Sequence, residues 1–273
     1  MPRRYAPSAC LLAAALALLA PAGCGRRQHF SVDRVDELAY PACADGSDRA
    51  APEVLAESRF RSGPDDTRAV LLERARVERR GCLRAVTVRQ VTGTQIADVE
   101  AIYDENLLPL RLWRRFATPR EGARSFDVDL KRFDFRTPEL GVKHRGPGGG
   151  VDYEVLRGKG GEKPRALIGP GRGLLTVWLW RAKLAVGQKL RERVLDFRGV
   201  EVLRDVTLMR HEDRDDAALG RRVRVYTIYG REPFFADEND VVLGDLAGLL
   251  PAGADAAAPP LDALDAPDPV GTP

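Results

Sequence analysis

Between residues 68 and 250 apolar and polar side chains alternate. Val86 and Val88 are interleaved with Thr87 and Arg89; Phe126, Val128 and Leu130 with Asp127, Asp129 and Lys131; Val223 and Val225 with Arg222 and Arg224. Successive side chains on a strand point to opposite faces, so a period of two means one buried and one wetted face, the habit of antiparallel sheets. The pattern predicts nine strands, near residues 69–79, 83–91, 96–103, 108–116, 126–136, 151–157, 190–197, 200–208 and 221–229. The expected fold is mainly β: a curved antiparallel sheet, open barrel or sandwich with one or two short helices. Two glycine-rich stretches, Gly141–Gly150 and Gly158–Gly173, interrupt the series and read as loops. Neither fits a phosphate loop or a dinucleotide fingerprint, so their glycines are expected to make turns.

One stretch has no readable period. Leu174 to Trp180 (LLTVWLW) is the most apolar run after the N-terminal segment, and its composition leaves helix and strand both open over 174–186. As a helix it would run from Gly173 to Val186 and stop at Gly187.

The flanks are built differently. Residues 24–67 mix charges, prolines and small residues and read as a tether, with a helical turn or two at Glu53 to Arg59. As a flexible coil such a segment spans roughly 35 Å. Residues 251–273 hold six prolines, seven alanines, four aspartates and no basic residue, the composition of a disordered acidic tail. The β-rich unit is therefore 68–250, enough for one core of ordinary size.

At the N-terminus, Arg3 and Arg4 precede an uncharged apolar stretch, Ala9 to Ala20, followed by Pro21, Ala22, Gly23 and Cys24. A basic start, a short apolar segment and small residues match the plan of a secretory signal peptide, here 1–23, and the apolar stretch is too short to span a bilayer. Ala22, Gly23 and Cys24 resemble a bacterial lipobox, in which the cysteine is lipidated and becomes the new N-terminus; Pro21 stands where that pattern prefers Leu. The resemblance implies lipidation of Cys24 and anchorage to a membrane surface without a span. Gly25, rather than Asp, after the cysteine implies the periplasmic face of the outer membrane in a cell with two membranes. Ala20-Pro21-Ala22 also suits an ordinary signal peptidase, which would release a protein beginning at Gly23, so cleavage before Cys24 and cleavage after Ala22 both stand.

Four cysteines then have distinct fates. Cys10 is discarded with the signal, lipidation takes Cys24, and Cys43 and Cys82 remain as a candidate disulfide; the other reading leaves both as thiols. Such a bridge would close a loop of about 40 residues and contribute about 4 kcal/mol in the chain-entropy picture.

Charge divides along the same boundaries. The whole chain carries +3, from 43 basic and 40 acidic side chains; loss of Arg3 and Arg4 lowers this to +1, and excluding the four tail aspartates leaves +5 on residues 24–250. Arginine supplies 37 of the basic residues, and on strands it alternates with apolar positions, which describes a solvated sheet face. An exported chain meets no nucleic acid, so none is expected as a partner; an anionic lipid or polysaccharide surface is the more reasonable target.

Catalytic patterns are missing. No serine sits in G-x-S-x-G, and His29, His144 and His211 have no H-E-x-x-H spacing. The carboxylates of His211 to Asp216 could hold calcium on a loop, but the stretch fits a solvated hairpin connection with built-in charge pairing; Asp237 to Asp240 starts like a calcium loop, but Val241 occupies a ligand position and no Gly follows at the sixth. No metal or cofactor is implied.

The order of elements, many strands, an apolar run, a stop at Gly187, then more strands to about 229, resembles in outline the lipid-binding and carrier lipoproteins of bacterial envelopes. Their fold is a curved sheet or open barrel with helix on its concave side. The resemblance implies an apolar cavity lined by Trp178 and Trp180; the same two side chains would equally serve to fill the core. The expectation is a non-enzymatic, membrane-anchored envelope lipoprotein that binds an apolar or amphiphilic ligand or a partner protein. The alternatives are a structural or assembly module of the envelope and a carboxylate-based hydrolase. Mass spectrometry of the mature N-terminus is expected to find a lipidated Cys24; a peptide beginning at unmodified Gly23 would contradict the anchor.

Overall fold

The structure, a computed structural model, describes residues 43–47, 51–62, 71–92, 95–119, 126–136, 140–145, 151–156, 163–217, 219–230, 233–245 and 249–251. The signal segment, Cys24, the first part of the tether and the tail beyond 251 lie outside the described residues. The protein is mainly β, a curled half-barrel sheet with, among the described residues, one short helix.

The half-barrel contains β1 (Glu53–Ser62), β2 (Leu71–Arg80), β3 (Leu83–Thr92), β4 (Gln95–Tyr103), β5 (Pro109–Pro119), β6 (Phe126–Asp134), β7 (Leu140–Arg145) and β8 (Val151–Leu156). These eight are neighbours in sequence order, all antiparallel, and a ninth strand, β16 (Leu249–Pro251), adds to the edge at β1. Register turns the sequence alternation into rows across the sheet. Val77 faces Val86, which faces Ala101, then Leu112, Phe133 and Val142, and all six are buried. The next row runs Ala75, Val88, Val99, Arg114, Lys131, and the one beyond it Phe60, Glu73, Gln90, Ala97, Phe116, Asp129. The concave face is thus apolar at one end and polar at the other.

The second sheet has the order β15 (Val242–Asp245), β14 (Pro233–Ala236), β13 (Arg221–Ile228), β11 (Val202–Arg210), β10 (Lys189–Asp196), β9 (Ala166–Ile168), with β12 (Arg214–Asp216) paired to β13. Only β9 runs parallel to its neighbour β10, and the crossover between them is the helix, α1 (Gly173–Ala182).

The helix lies between the sheets and every residue from Gly173 to Leu179 is buried. Leu174 and Val177 pack with the half-barrel rows together with Leu167, Leu195 and Phe197. Leu175, Trp178 and Leu179 pack with Val194, Val206, Leu208, Tyr226 and Phe234. A helix buried on all sides is apolar all round, which is why this run has no readable period. Its first turn comes so close to the half-barrel that a Cβ on Gly173 would stand 2.2 Å from Cβ of Ala75, and one on Gly171 2.3 Å from Cγ1 of Val88.

Nine predicted strands correspond to β2–β6, β8, β10, β11 and β13 within a few residues. The differences have physical causes. Glu53 to Arg59, expected as tether with a helical turn, is β1; its inward positions include Ala56, Ser58 and Phe60, of which only Phe60 is deeply buried, so pairing with β2 holds it rather than its own apolar content. Residues 140–145, with 141–145 expected as loop, form β7, in which Val142 is buried. Ala166–Ile168, inside the second expected loop, is a fully buried three-residue strand, too short to show any period. The helix stops at Lys183, four residues before the expected Gly187: Lys183 takes φ +46° and donates its N–H to the Leu179 carbonyl at 3.0 Å. Gly187 instead donates to the Arg210 carbonyl, in the turn that leads into β10.

On the face turned away from the helix, Cys43 is joined to Cys82 with a Cα–Cα separation of 5.8 Å. Cys82 ends the two-residue turn between β2 and β3, where Gly81 has the positive φ, +60°, that a tight hairpin of this kind needs. The bridge pins residues 43–47 over Leu83, Ala85 and Ile102. Arginines on the same face are held by carboxylates: Asp98, only 7% exposed, takes Arg115 at 2.6 Å and Arg89 at 2.5 Å.

Candidate functional site: an apolar cleft rimmed by arginines

The strand β9 and the helix are linked by Gly169-Pro170-Gly171-Arg172, and this link starts the helix with no side-chain cap of its own. The cap comes from the half-barrel. Glu73, on an inward position of β2 and 2% exposed, accepts the backbone N–H of Arg172 at 2.6 Å and of Gly173 at 3.3 Å. Its other oxygen accepts from Gln90, whose amide also donates to the Pro170 carbonyl. The first turn of a helix carries unpaired N–H groups and partial positive charge, so a carboxylate satisfies both. Burial nonetheless outweighs these contacts and the nearby Arg172 guanidinium, and pushes the carboxyl up to about 7.

Arg172 faces the other way. Its Nε donates to Asp245 of β15 at 2.5 Å and its Nη1 to the Pro170 carbonyl at 3.0 Å. Here it joins the wall of a cleft of about 500 Å³. Ile168, Leu175, Ile228 and Phe234 supply the apolar part of that wall, and Arg172, Arg198, Arg204, Tyr229 and Asp245 the polar part. The volume falls in the usual range for small-molecule sites, roughly 300–1,000 Å³, and the mixture of apolar surface with a few convergent polar groups is their common chemistry.

Arg198 and Arg204 share one carboxylate, Asp196, at the end of β10. Burial works against ionisation of Asp196, but the side-chain and backbone hydrogen bonds from Arg198 and the bond from Arg204 prevail and hold it below the usual carboxylate range. Of the five groups Arg172, Arg198, Arg204, Asp196 and Asp245, three are cationic and two anionic, so the polar wall has one positive charge in excess. Tyr229 stands beside it with its ring 5.0 Å from the Arg204 guanidinium carbon, 38% exposed. Tyr229 and Gly230 both have positive φ, +60° and +65°. A bulky residue in the left-handed region costs about 1–2 kcal/mol, and strain of this kind collects where a side chain must be presented.

The sequence-predicted residues lie elsewhere. Cys24 is outside the described residues. Trp178 is in the core, donating its indole N–H to Glu192 at 2.9 Å, and Trp180 donates to the Asn239 carbonyl at 2.8 Å; neither lines the cleft. Trp178 is buried between the helix and the second sheet, and Trp180 is partly buried against the cluster that packs with the half-barrel. In the acidic stretches, Asp213 pairs with Arg210, Asp216 with Arg214, and Asp240 with Arg224 and the Tyr226 hydroxyl. Among the described residues no group of three or more histidine, cysteine or acidic side chains is placed to hold a metal ion, and no helix is long and apolar enough to cross a membrane. Sequence reasoning missed Glu73, Arg172, Arg198, Arg204 and Tyr229. A signal existed for Glu73 alone, an acid in phase with the inward residues Ala75 and Val77.

No known protein family matches the chain, and no curated protein does. Among solved structures, a DUF1089 family protein of Pseudomonas aeruginosa is similar at 16% identity with a TM-score of 0.40, over 64% of this chain and 88% of that one. A likeness at that level supports no conclusion about what this chain does.

Glu73 gives the site a pH signature. Between about pH 4.5, where the unfolded side chain titrates, and about pH 7, the folded protein keeps a proton that the unfolded chain has released. The contribution of Glu73 to stability therefore falls as pH rises through that window, by on the order of 3 kcal/mol, and is level above it. Denaturant midpoints measured from pH 4.5 to 8 are expected to show this loss in the wild type relative to Glu73→Gln, which cannot ionise. Parallel profiles for the two proteins would show that Glu73 does not titrate there.

Proposed function

We propose that this chain is a non-enzymatic binding protein for an anionic amphiphile, exported and held at the cell envelope by an acylated Cys24. The observation that carries the reading is the division of the cleft wall: Ile168, Leu175, Ile228 and Phe234 on one part, and three arginines with an excess of one positive charge on the other. An alkyl chain would lie on the first part, and a carboxylate or other single anionic head group would meet the exposed guanidinium groups of Arg198 and Arg204. Tyr229 would cover the ligand from the mouth. The N-terminal segment supports the address, since a lipidated cysteine followed by a tether of some 40 residues would hold a binding domain near the membrane where amphiphiles are found.

Laurate and dodecanol, which share a chain length and differ in head-group charge, test this directly by calorimetry. Laurate is expected to bind more tightly, and Arg204→Gln to weaken laurate by about tenfold or more while leaving dodecanol within about twofold, because a hydrogen bond to a charged partner contributes about 1.5–3 kcal/mol. Arg198 still pairs with Asp196 in that variant, so no carboxylate is stranded. Equal affinity for the two probes, or binding of neither, would overturn the reading.

A further inference from the structure

A second cleft, of about 660 Å³, lies toward the N-terminal end of β10, and nothing in the amphiphile reading uses it. Its charged lining is Lys163, Arg165, Arg191 and Arg193 with Glu192 and Asp205, and Leu108 of the β4–β5 connection and Pro109 at the start of β5 line it too. The two carboxylates are already engaged. Glu192 is 8% exposed and accepts the Trp178 indole N–H, both terminal nitrogens of Arg181, and Arg165 at 3.3 Å. Asp205 takes Arg193 at 2.8 Å and Arg191 at 3.3 Å. With Arg181 set against Glu192, four cations remain against Asp205, an excess of three positive charges. The first cleft, by contrast, has an excess of one.

The backbone that carries these cations, and the Lys163 ammonium, are held in place. Arg165 donates its backbone N–H to the Arg193 carbonyl at 2.8 Å, and Lys163 donates its ammonium to the Arg136 carbonyl at 2.8 Å. Arg191 and Arg193 share one face of β10. The side chains of Arg165 and Arg191 are 59% and 75% exposed, so their donors reach the open cleft. Like charges gathered around one cleft repel each other, and a compact multivalent anion relieves the repulsion. Guanidinium forks match the oxygen spacing of phosphate, and a phosphate ester carries nearly two negative charges at neutral pH. We propose that this cleft binds a phosphate-bearing anion, through Lys163, Arg165, Arg191 and Arg193.

Phosphate can reach the cleft free in solution or as a lipid head group, and two probes separate the sources: inorganic pyrophosphate in calorimetry, and phosphatidylcholine vesicles with and without phosphatidylglycerol in a flotation assay. The full-length protein is compared with its Arg165→Gln/Arg191→Gln double variant, whose two changed side chains are exposed and whose melting temperature is expected to match the wild type. Saturable pyrophosphate binding that the double variant weakens by about tenfold or more establishes the site for soluble phosphates. A preference for phosphatidylglycerol vesicles that weakens with salt and vanishes in the double variant, without pyrophosphate binding, establishes it for lipid head groups. Laurate binding is unchanged in the double variant, so the two clefts are scored independently. The proposal is overturned when neither probe binds, or when wild type and double variant bind alike.

Discussion

A carboxyl group buried at the polar end of the half-barrel holds the start of the helix, and the placement of everything around the first cleft follows from it. Glu73 receives the Arg172 and Gly173 amides from a segment about 100 residues further along the chain. Without it those N–H groups would be buried with no acceptor, each at a cost of about 1–3 kcal/mol. Because the helix touches both sheets, fixing its first turn also fixes how β9 and β10 sit against the half-barrel. The same contact aims the Arg172 side chain away from Glu73 and onto Asp245, where it becomes part of the cleft wall.

A second tie acts nearby. Arg114 of β5, on the concave face, reaches Glu201 of the β10–β11 connection at 2.5 Å and Asp129 of β6 at 2.9 Å, and Lys131 reaches Glu201 at 2.8 Å. The Arg114 guanidinium also lies 4.3 Å over the Phe116 ring. Burial opposes ionisation of Glu201, but Lys131 and Arg114 hold it below the usual range. Each member has a second partner, Asp129 for Arg114 and Lys131 for Glu201, so loss of one side chain weakens the network without leaving the other charge unpaired. The polar end of the half-barrel is therefore where the two sheets are registered, and the apolar end is where they are packed.

Legibility in the sequence followed burial. Strands β2 to β4 were readable because their inward rows are mostly Val and Ala; in β6 the alternation is as clear but reversed, with Asp129 and Lys131 in the concave rows beside Phe133 and Val128 and Leu130 on the outer face, so the period marks the strand without saying which face is buried. In β1 the inward positions are Ala56, Ser58 and Phe60, and in β7 Val142 is the one large apolar residue between Leu140 and Arg145, so nothing in either segment exceeds the background of a tether or loop. The helix was unreadable for the opposite reason, being apolar on every side. The cleft was almost invisible: Arg198 and Arg204 are two arginines among 37, and only the return of β11 alongside β10 brings them to one carboxylate. The tryptophans attracted attention by size, and size was used for packing.

Two clefts on one sheet, one with a single excess charge beside apolar wall and one strongly cationic, suit a protein that meets amphiphiles at a surface rich in anions. That account stands on the helix being fixed by a buried carboxylate that still carries a proton near neutrality. A ¹³C NMR titration of the Glu73 side-chain carboxyl measures this most directly. The account predicts a midpoint near 7, with the Arg172 and Gly173 amide resonances moving at the same pH; a midpoint near 4.5 with silent amides would contradict it.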